Sequence, residues 1–111
     1  MNNYSDMSDF EINKAVALLC GISQDNEQYL AYGDRSNGVL HHAGEAVVDY
    51  CNDARDMWPL IVENKIDVCF IDSANSWTSF GLTKNKLLVE SSGDNPLRAA
   101  AMVYLMIKDA E

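Results

Sequence analysis

Residues 94–108 read DNPLRAAAMVYLMIK, and this stretch decides which fold the chain can adopt. From Leu97 to Ile107 the side chains are apolar on almost every side of a helix, with Arg98 as the only charge. A helix without a polar face either lies in the centre of a core or covers the surface of a partner. We therefore expect the rest of the chain to pack around this helix.

Both ends of this stretch carry helix boundary signals. Asn95 or Asp94 can cap the free amide groups at the start, and Pro96 then occupies the first helical position, where proline is favoured. Lys108 lies near the end, where a positive charge interacts favourably with the helix dipole. These signals predict a helix that begins at Pro96.

Another helix is indicated near the N-terminus. Ser8 and Glu11 have the spacing of a capping box, in which each side chain accepts a hydrogen bond from the backbone amide of the other residue. The apolar stripe that follows consists of Ile12, Ala15, Val16 and Leu19. Gly21 can then adopt the left-handed backbone conformation that ends a helix. We predict a helix over residues 9–20.

The stretch around Trp58 and Pro59 predicts a third helix. Asp56 is the predicted N-cap, which places Pro59 in the first turn, where its missing N–H leaves no hydrogen bond unmade. Asn64 can end the helix. We expect both Trp58 and Trp77 to lie in the core or at its edge rather than to stack on a ligand.

Alternating apolar residues predict an antiparallel meander of three strands. These strands are expected at residues 66–71, 77–82 and 86–91. Further short strand candidates are residues 28–32, 39–42 and 46–50, with a turn at 34–38. The predicted fold class is therefore α+β, a small single domain over residues 1–111 in which three helices pack on a short, mostly antiparallel sheet.

The composition fits one folded domain and argues against several other classes of protein. The chain has 111 residues, 48% of them apolar, which suffices for one core and not for two ordinary domains. Residues 1–21 lack a basic start followed by an apolar core, so we expect no secretory signal. The longest apolar run, residues 99–107, is far shorter than the ~20 residues that span a bilayer. Cys20, Cys51 and Cys69 are expected to be reduced, mostly buried thiols in a cytosol.

No arrangement of residues predicts catalysis. His41 and His42 are adjacent and point to opposite faces of a strand, so they cannot easily share a metal ion. The chain has neither a Gly-x-Ser-x-Gly motif nor a glycine-rich phosphate loop. Asp53 and Asp56 are explained more simply as helix caps than as paired catalytic carboxylates. We therefore predict no enzyme activity, catalytic residue, cofactor or metal, although a pocket that joins a histidine to a cysteine or carboxylate would favour a small hydrolase.

The distribution of charge is more informative. The net charge is −9, and residues 1–56 carry ten acidic and three basic residues. This charge disfavours direct binding to nucleic-acid phosphates. A folded domain can instead present separate carboxylates as phosphate-like charges to a nucleic-acid-binding protein, and the alternative is that they serve solubility alone. The candidate partner-binding residues are Asp25, Glu27, Asp34, Glu45, Asp49, Asp53 and Asp56.

Three stretches form an ordered set of motifs: residues 4–17 (YSDMSDFEINKAVA), 51–66 (CNDARDMWPLIVENKI) and 93–108 (GDNPLRAAAMVYLMIK). In this order and spacing they resemble the small NinX-like proteins of tailed phages and enterobacterial prophages. Residues 22–50 and 83–92 match no part of that pattern. The resemblance implies a phage accessory protein made in the cytoplasm of a bacterial host, from a family without established catalytic activity, and it transfers no functional residues.

We therefore expect a small acidic protein that acts by binding a host or phage protein, without inserting into a membrane. The first hypothesis is that it inhibits or modulates a host complex that handles nucleic acid, of the anti-restriction or anti-CRISPR type, by placing carboxylates in a basic channel. The alternative is a structural or regulatory protein that forms a homodimer or binds a phage partner through apolar surface on the last helix and Trp58. High salt distinguishes the two because it weakens a charge-led complex.

Overall fold

The structure is a computed structural model that describes residues 4–20, 40–42 and 45–111. The predicted strand at 28–32, the turn at 34–38 and the stop at Gly21 lie outside these residues. The helices are α1 (Asp9–Leu19), α2 (Ala54–Glu63) and α3 (Pro96–Asp109), with short 3-10 helices at Tyr4–Asp6 and Asp72–Ala74. The strands are β1 (Leu40–His42), β2 (Glu45–Val48), β3 (Asp67–Ile71), β4 (Ser76–Leu82) and β5 (Leu88–Gly93).

Two of the helices begin where the sequence predicts. In the capping box of α1, Ser8 Oγ accepts a hydrogen bond from the Glu11 amide, and a Glu11 carboxylate oxygen accepts one from the Ser8 amide, both at 3.1 Å. Asn95 is the N-cap of α3, and its Oδ1 accepts hydrogen bonds from the amides of Leu97 and Arg98 at 3.0 and 3.2 Å. Local side chains therefore pair the free amide groups at both helix starts.

The strands form two antiparallel sheets. Strands β3, β4 and β5 are a meander in that order, and β1 pairs with β2 in a separate hairpin. Together with the three α-helices of the described residues, this arrangement confirms the predicted α+β class.

Helix α3 lies at the centre of the molecule. It packs against β4 and β5 on one side and contacts both α1 and α2. Its buried residues are Ala99, Ala100, Ala101, Met102, Val103, Tyr104, Leu105 and Ile107. The helix approaches β4 closely at Gly81, where a β-carbon would lie 2.7 Å from Ile107 Cδ1 and 2.9 Å from Val103 Cγ1. The close contact between sheet and helix therefore depends on a residue without a side chain.

The start of α2 differs from the prediction. Its N-cap is Asp53, whose carboxylate accepts a hydrogen bond from the Arg55 amide at 2.9 Å, so the helix begins three residues earlier than expected. The carboxylate of Asp56 instead accepts a hydrogen bond from the backbone amide of Asp49 at 2.9 Å. Pro59 consequently lies inside the helix and not in its first turn. Either aspartate can cap a helix locally, and the contact with Asp49 is what distinguishes them.

The start of β5 also differs from the prediction, by two residues. The backbone amide of Thr83 donates to the Leu87 carbonyl at 2.9 Å, and the Leu87 amide donates back to Thr83 Oγ1 at 3.1 Å. Lys86 between them has φ of 66°, in the left-handed region, where a strand cannot continue. Residues 86 and 87 therefore belong to the turn, and the predicted strand start at residue 86 is wrong.

Replacing Gly81 by alanine is expected to lower the free energy of unfolding by about 1–3 kcal/mol, because overpacking forces Val103 and Ile107 to shift. The matched control is Gly93→Ala on β5, where a β-carbon would meet nothing within 4 Å. Urea unfolding followed by tryptophan fluorescence measures both variants. Equal stability of the two variants would contradict the close packing of α3 on β4.

Candidate protein-binding surfaces

The first candidate surface lies where the three helices begin. Asn13 of α1 is fully buried, and its Nδ2 donates to Asp49 Oδ1 at 2.9 Å. Its Oδ1 accepts a hydrogen bond from the backbone amide of Cys51 at 3.0 Å. Both ends of this side-chain amide are paired, as a buried polar group requires. The loop that precedes α2 is thereby attached to α1.

Asn95 attaches the start of α3 to the same loop. Its Nδ2 donates to the Cys51 carbonyl at 2.7 Å and to Asn52 Oδ1 at 3.0 Å. Asn52 Nδ2 in turn lies 3.2 Å from a carboxylate oxygen of Asp9 and 3.2 Å from one of Asp49. The loop therefore bonds to both helices at once.

An ion pair joins α1 directly to α3. Arg98 Nη1 lies 2.6 Å from Asp9 Oδ1, and the two side chains are only 22% and 32% exposed. The same guanidinium donates to the backbone carbonyl of Met7. Partial burial and charge-assisted hydrogen bonding make such a pair stronger than an exposed one. We call the whole set the polar network: Asp9, Asn13, Asp49, Cys51, Asn52, Asn95 and Arg98.

Three of the seven predicted partner-binding residues have carboxylates whose contacts the structure describes. Asp49 belongs to the polar network, Asp53 caps α2, and Asp56 accepts a hydrogen bond from the loop. Each of them stabilises the fold, and a contact with a partner stays a prediction. Glu45 lies in β2, whereas Asp25, Glu27 and Asp34 lie outside the described residues.

The structure adds carboxylates at this end that the sequence did not predict as site residues. Asp9 and Glu11 lie in the first turn of α1, and Asp94 is exposed beside the N-cap of α3. Acidic residues are favourable at helix starts, but the sequence does not show that separate helix starts meet. Arg55 lies 3.3 Å from Asp53 as a partial countercharge. We call this set the acidic end: Asp9, Glu11, Asp49, Asp53, Asp56 and Asp94.

The second candidate surface is an apolar groove at the other end of α3. One wall consists of Thr83 and Leu87 from the turn and residues 88–89 of β5. The other consists of Met106, Asp109 and Ala110 at the end of α3. Tyr4 also lines the groove, which has a volume of about 520 Å³. Leucines 87 and 88 are each 64% exposed. Ligand sites in proteins have volumes of roughly 300–1,000 Å³, so this apolar groove has room for several partner side chains.

A third surface is the outer face of α2. Trp58 and Val62 are 59% and 58% exposed and lie four residues apart, on one face of the helix. The expectation that Trp58 lies in the core or at its edge is therefore wrong. Trp77 is half-buried and packs edge-on against Phe70, with ring centroids 5.4 Å apart.

The three cysteines are free thiols in different surroundings. Burial, with a smaller contribution from the charge of Asp9, raises the pKa of the Cys51 thiol to about 12, so it stays protonated at neutral pH. Cys20 is exposed, and its Sγ lies 3.9 Å from Tyr104 Oη. Burial also raises the pKa of the Tyr104 hydroxyl above its usual value. Because Cys69 is only half-buried, the prediction of mostly buried thiols holds for Cys51 alone.

The described part of the chain contains neither a cluster of metal ligands nor a membrane-spanning helix. His41 and His42 lie in β1. In that part, no group of three or more histidine, cysteine, aspartate or glutamate residues could hold a metal ion. Of the three helices described, none is both long enough and apolar enough to cross a membrane.

One known family matches almost the whole chain. A family model described as Bacteriophage P22, NinX matches residues 3–108. The chain belongs to this phage NinX family. The resemblance of the three motif stretches is confirmed, and the match also spans residues 22–50 and 83–92, which those motifs leave out. No curated protein and no solved structure matches the chain.

The motifs that resemble the NinX family meet in the polar network. Each stretch contributes to it: Asp9 and Asn13 come from the first, Asn52 from the second, and Asn95 and Arg98 from the third. Asn13 bonds to Cys51 of the second stretch, 38 positions away, and the other four residues bond to one another across 43 to 89 positions. The residues that carry the resemblance are thus also those that join the helices.

Replacing Asn13 by alanine removes the donor to Asp49 and the acceptor for the Cys51 amide. We expect the free energy of unfolding to fall by about 2–4 kcal/mol, because both partners lose a hydrogen bond away from bulk water. The control is Asn85→Ala, in the exposed turn after β4, which should change stability by less than about 0.5 kcal/mol. Urea unfolding tests both variants, and similar midpoints would show that the network contributes little.

The thiols should differ in their rates of alkylation. Iodoacetamide at mildly alkaline pH is expected to modify Cys20 quickly and Cys51 only after unfolding, because Cys51 is buried and its pKa is about 12. Mass spectrometry of tryptic peptides gives the rate at each position. The chain unfolded in guanidinium chloride is the control, in which all three thiols should react. Equal rates for Cys20 and Cys51 in the folded protein would refute the buried position of Cys51.

Proposed function

We propose that this member of the NinX family is a phage accessory protein that acts in the cytoplasm of the bacterial host by binding another protein through its acidic end. The proposed partner is a host complex that handles nucleic acid, such as a restriction, CRISPR or recombination component, which the protein inhibits or modulates. The observation that carries the proposal is the grouping of six carboxylates where three helices begin.

Several of these carboxylates are held in defined positions. The single amide nitrogen of Asn52 lies 3.2 Å from both Asp9 and Asp49, so these two acidic groups are neighbours. Backbone amides hold the carboxylates of Asp53 and Asp56 at 2.9 Å. Groups that are already ordered lose less entropy on binding than flexible side chains do. The acidic end is therefore suited to meet a surface with matching positive charges.

The charge of the whole chain favours a protein partner over nucleic acid itself. The net charge is −9, and a polyanion with condensed counterions repels such a surface. A basic channel that normally holds nucleic acid attracts the same surface at long range. Occupying that channel requires no catalytic group, in keeping with the prediction that the protein is not an enzyme.

The test removes charge from the acidic end without disturbing the fold. Asp53→Asn retains the N-cap, because asparagine caps as well as aspartate, and it is combined with Asp94→Asn at an exposed position. Tagged wild type and double variant are exposed to lysate of an enterobacterial host at low and high salt, and mass spectrometry identifies the retained proteins. We expect the wild type to retain a nucleic-acid-binding complex at low salt only. The double variant should retain at most about one fifth as much of that complex.

The matched control removes the same charge elsewhere. Glu63→Gln with Asp72→Asn changes two exposed carboxylates, one at the end of α2 and one between β3 and β4, and should retain as much as the wild type. The purified complex should also release labelled DNA or RNA when the wild type is added. An equal loss in both double variants, an empty column, or no competition with nucleic acid would each contradict the proposal.

A second candidate function is favoured by the outer face of α2. Large apolar side chains such as Trp58 and Val62 at a surface are typical of contacts between proteins. This face would serve a homodimer or a complex with a phage partner. In the same experiment, retention that survives high salt and is lost in Trp58→Ser would favour this candidate over the acidic end.

A further inference from the structure

The turn between β4 and β5 borders the apolar groove and carries two lysines. Lys84 and Lys86 are both exposed and lie between Thr83 and Leu87, which line the groove. The Lys86 amide donates to the Thr83 carbonyl at 2.9 Å, and two further hydrogen bonds join Thr83 to Leu87. Thr83 is itself buried, so the turn is anchored. The two lysines therefore extend from a backbone of fixed shape.

The wall formed by α3 has the opposite charge. Asp109 lines the groove there, while the neighbouring Lys108 is paired with Glu111 at 3.4 Å. The two sides of the groove thus differ in charge, because the turn beside one wall carries two lysines and the other wall contains a carboxylate. A ligand that fits this arrangement has apolar groups in the middle and negative charge on the hairpin side.

The two walls are held in place by the core. At Gly81, next to the end of β4, the hairpin contacts Val103 and Ile107 of α3 so closely that no β-carbon fits between them. The groove is consequently already formed without a ligand. Binding to a formed groove loses less free energy in rearrangement than binding to a surface that must first open.

We propose that the apolar groove is a docking site for a segment of a partner protein in which apolar side chains adjoin aspartate or glutamate residues. The apolar side chains contact Leu87, Leu88 and Met106, and the carboxylates pair with Lys84 and Lys86. A second copy of this chain fits less well, because a symmetric contact places the same concave face on both sides. Two copies would also bring together two net charges of −9.

This site is separate from the acidic end and does not depend on the proposed function. Helix α3 begins at the acidic end and finishes at the groove, and its 14 residues, at about 1.5 Å each, set the two roughly 20 Å apart. With both surfaces in use, the protein holds two partners, or two parts of one complex, at the same time.

The test uses a phage-displayed library of random peptides, selected against the full chain. Affinities of the selected peptides are then measured by fluorescence anisotropy. We expect these peptides to combine apolar with acidic residues. Their affinity for the Leu87→Asp variant should be at least about tenfold lower than for the wild type. Lys84→Glu with Lys86→Glu should weaken binding by about tenfold, and peptides whose acidic residues are changed to lysine should recover affinity for that variant.

Each variant has a matched control elsewhere on the surface. Leu19→Asp makes the same change as Leu87→Asp at another exposed leucine, at the end of α1, where the exposed fraction is 50% against 64%. Lys65→Glu matches Lys86→Glu, because both lysines are exposed and have left-handed backbones, with φ of 54° and 66°. Both control variants should bind the selected peptides as the wild type does.

Several results would overturn the proposal. Selected peptides without acidic residues, no selected peptide at all, or unchanged affinity in Leu87→Asp would each do so. A dimer of the wild type in analytical ultracentrifugation that Leu87→Asp converts to a monomer would identify a second copy as the occupant. Binding to phosphatidylglycerol vesicles that is lost in Lys84→Glu would identify a lipid surface instead.

Discussion

The positions of α1, α2 and α3 depend on how Asn13 and Asn95 bond to the peptide groups on either side of Cys51. One asparagine accepts the hydrogen bond of the Cys51 amide, and the other donates to its carbonyl, from two different helices. Both bonds form only when the starts of α1 and α3 and the intervening loop lie within hydrogen-bonding range of one another. An apolar helix can pack in several orientations at similar cost. The polar contacts restrict α3 to one of them.

This constraint also determines where charge accumulates on the surface. Each helix start uses a polar or acidic side chain as a cap, and bringing three starts together brings their carboxylates together as well. Asp53 and Asp56 therefore stabilise α2 and at the same time contribute to the acidic end. At the other end of α3, the hairpin of β4 and β5 leaves leucines and lysines exposed. The two surfaces differ in chemistry because one consists of helix starts and the other of a strand turn.

The features that the sequence predicts correctly depend on neighbouring residues. Ser8 with Glu11, and Asn95 before its proline, specify helix starts within four positions, and the structure has both. Asp53 could not be chosen over Asp56 as the cap, because a contact with a preceding loop decides between them. The acidic end and the groove were not predictable for the same reason, since each combines segments that are distant in sequence. The exposure of Trp58 likewise depends on which face of α2 meets the core.

Helix α3 follows all the other described helices and strands in the chain, and this order affects how the protein is made. At about 5–20 residues per second, a ribosome synthesises α1 several seconds before α3. During that interval the apolar faces of α1, α2 and the sheet have no central helix to cover them. The nascent chain therefore cannot complete its core until residues 96–109 have left the exit tunnel. Until then, these apolar faces stay exposed, and exposed apolar surface makes an incompletely folded chain prone to aggregation.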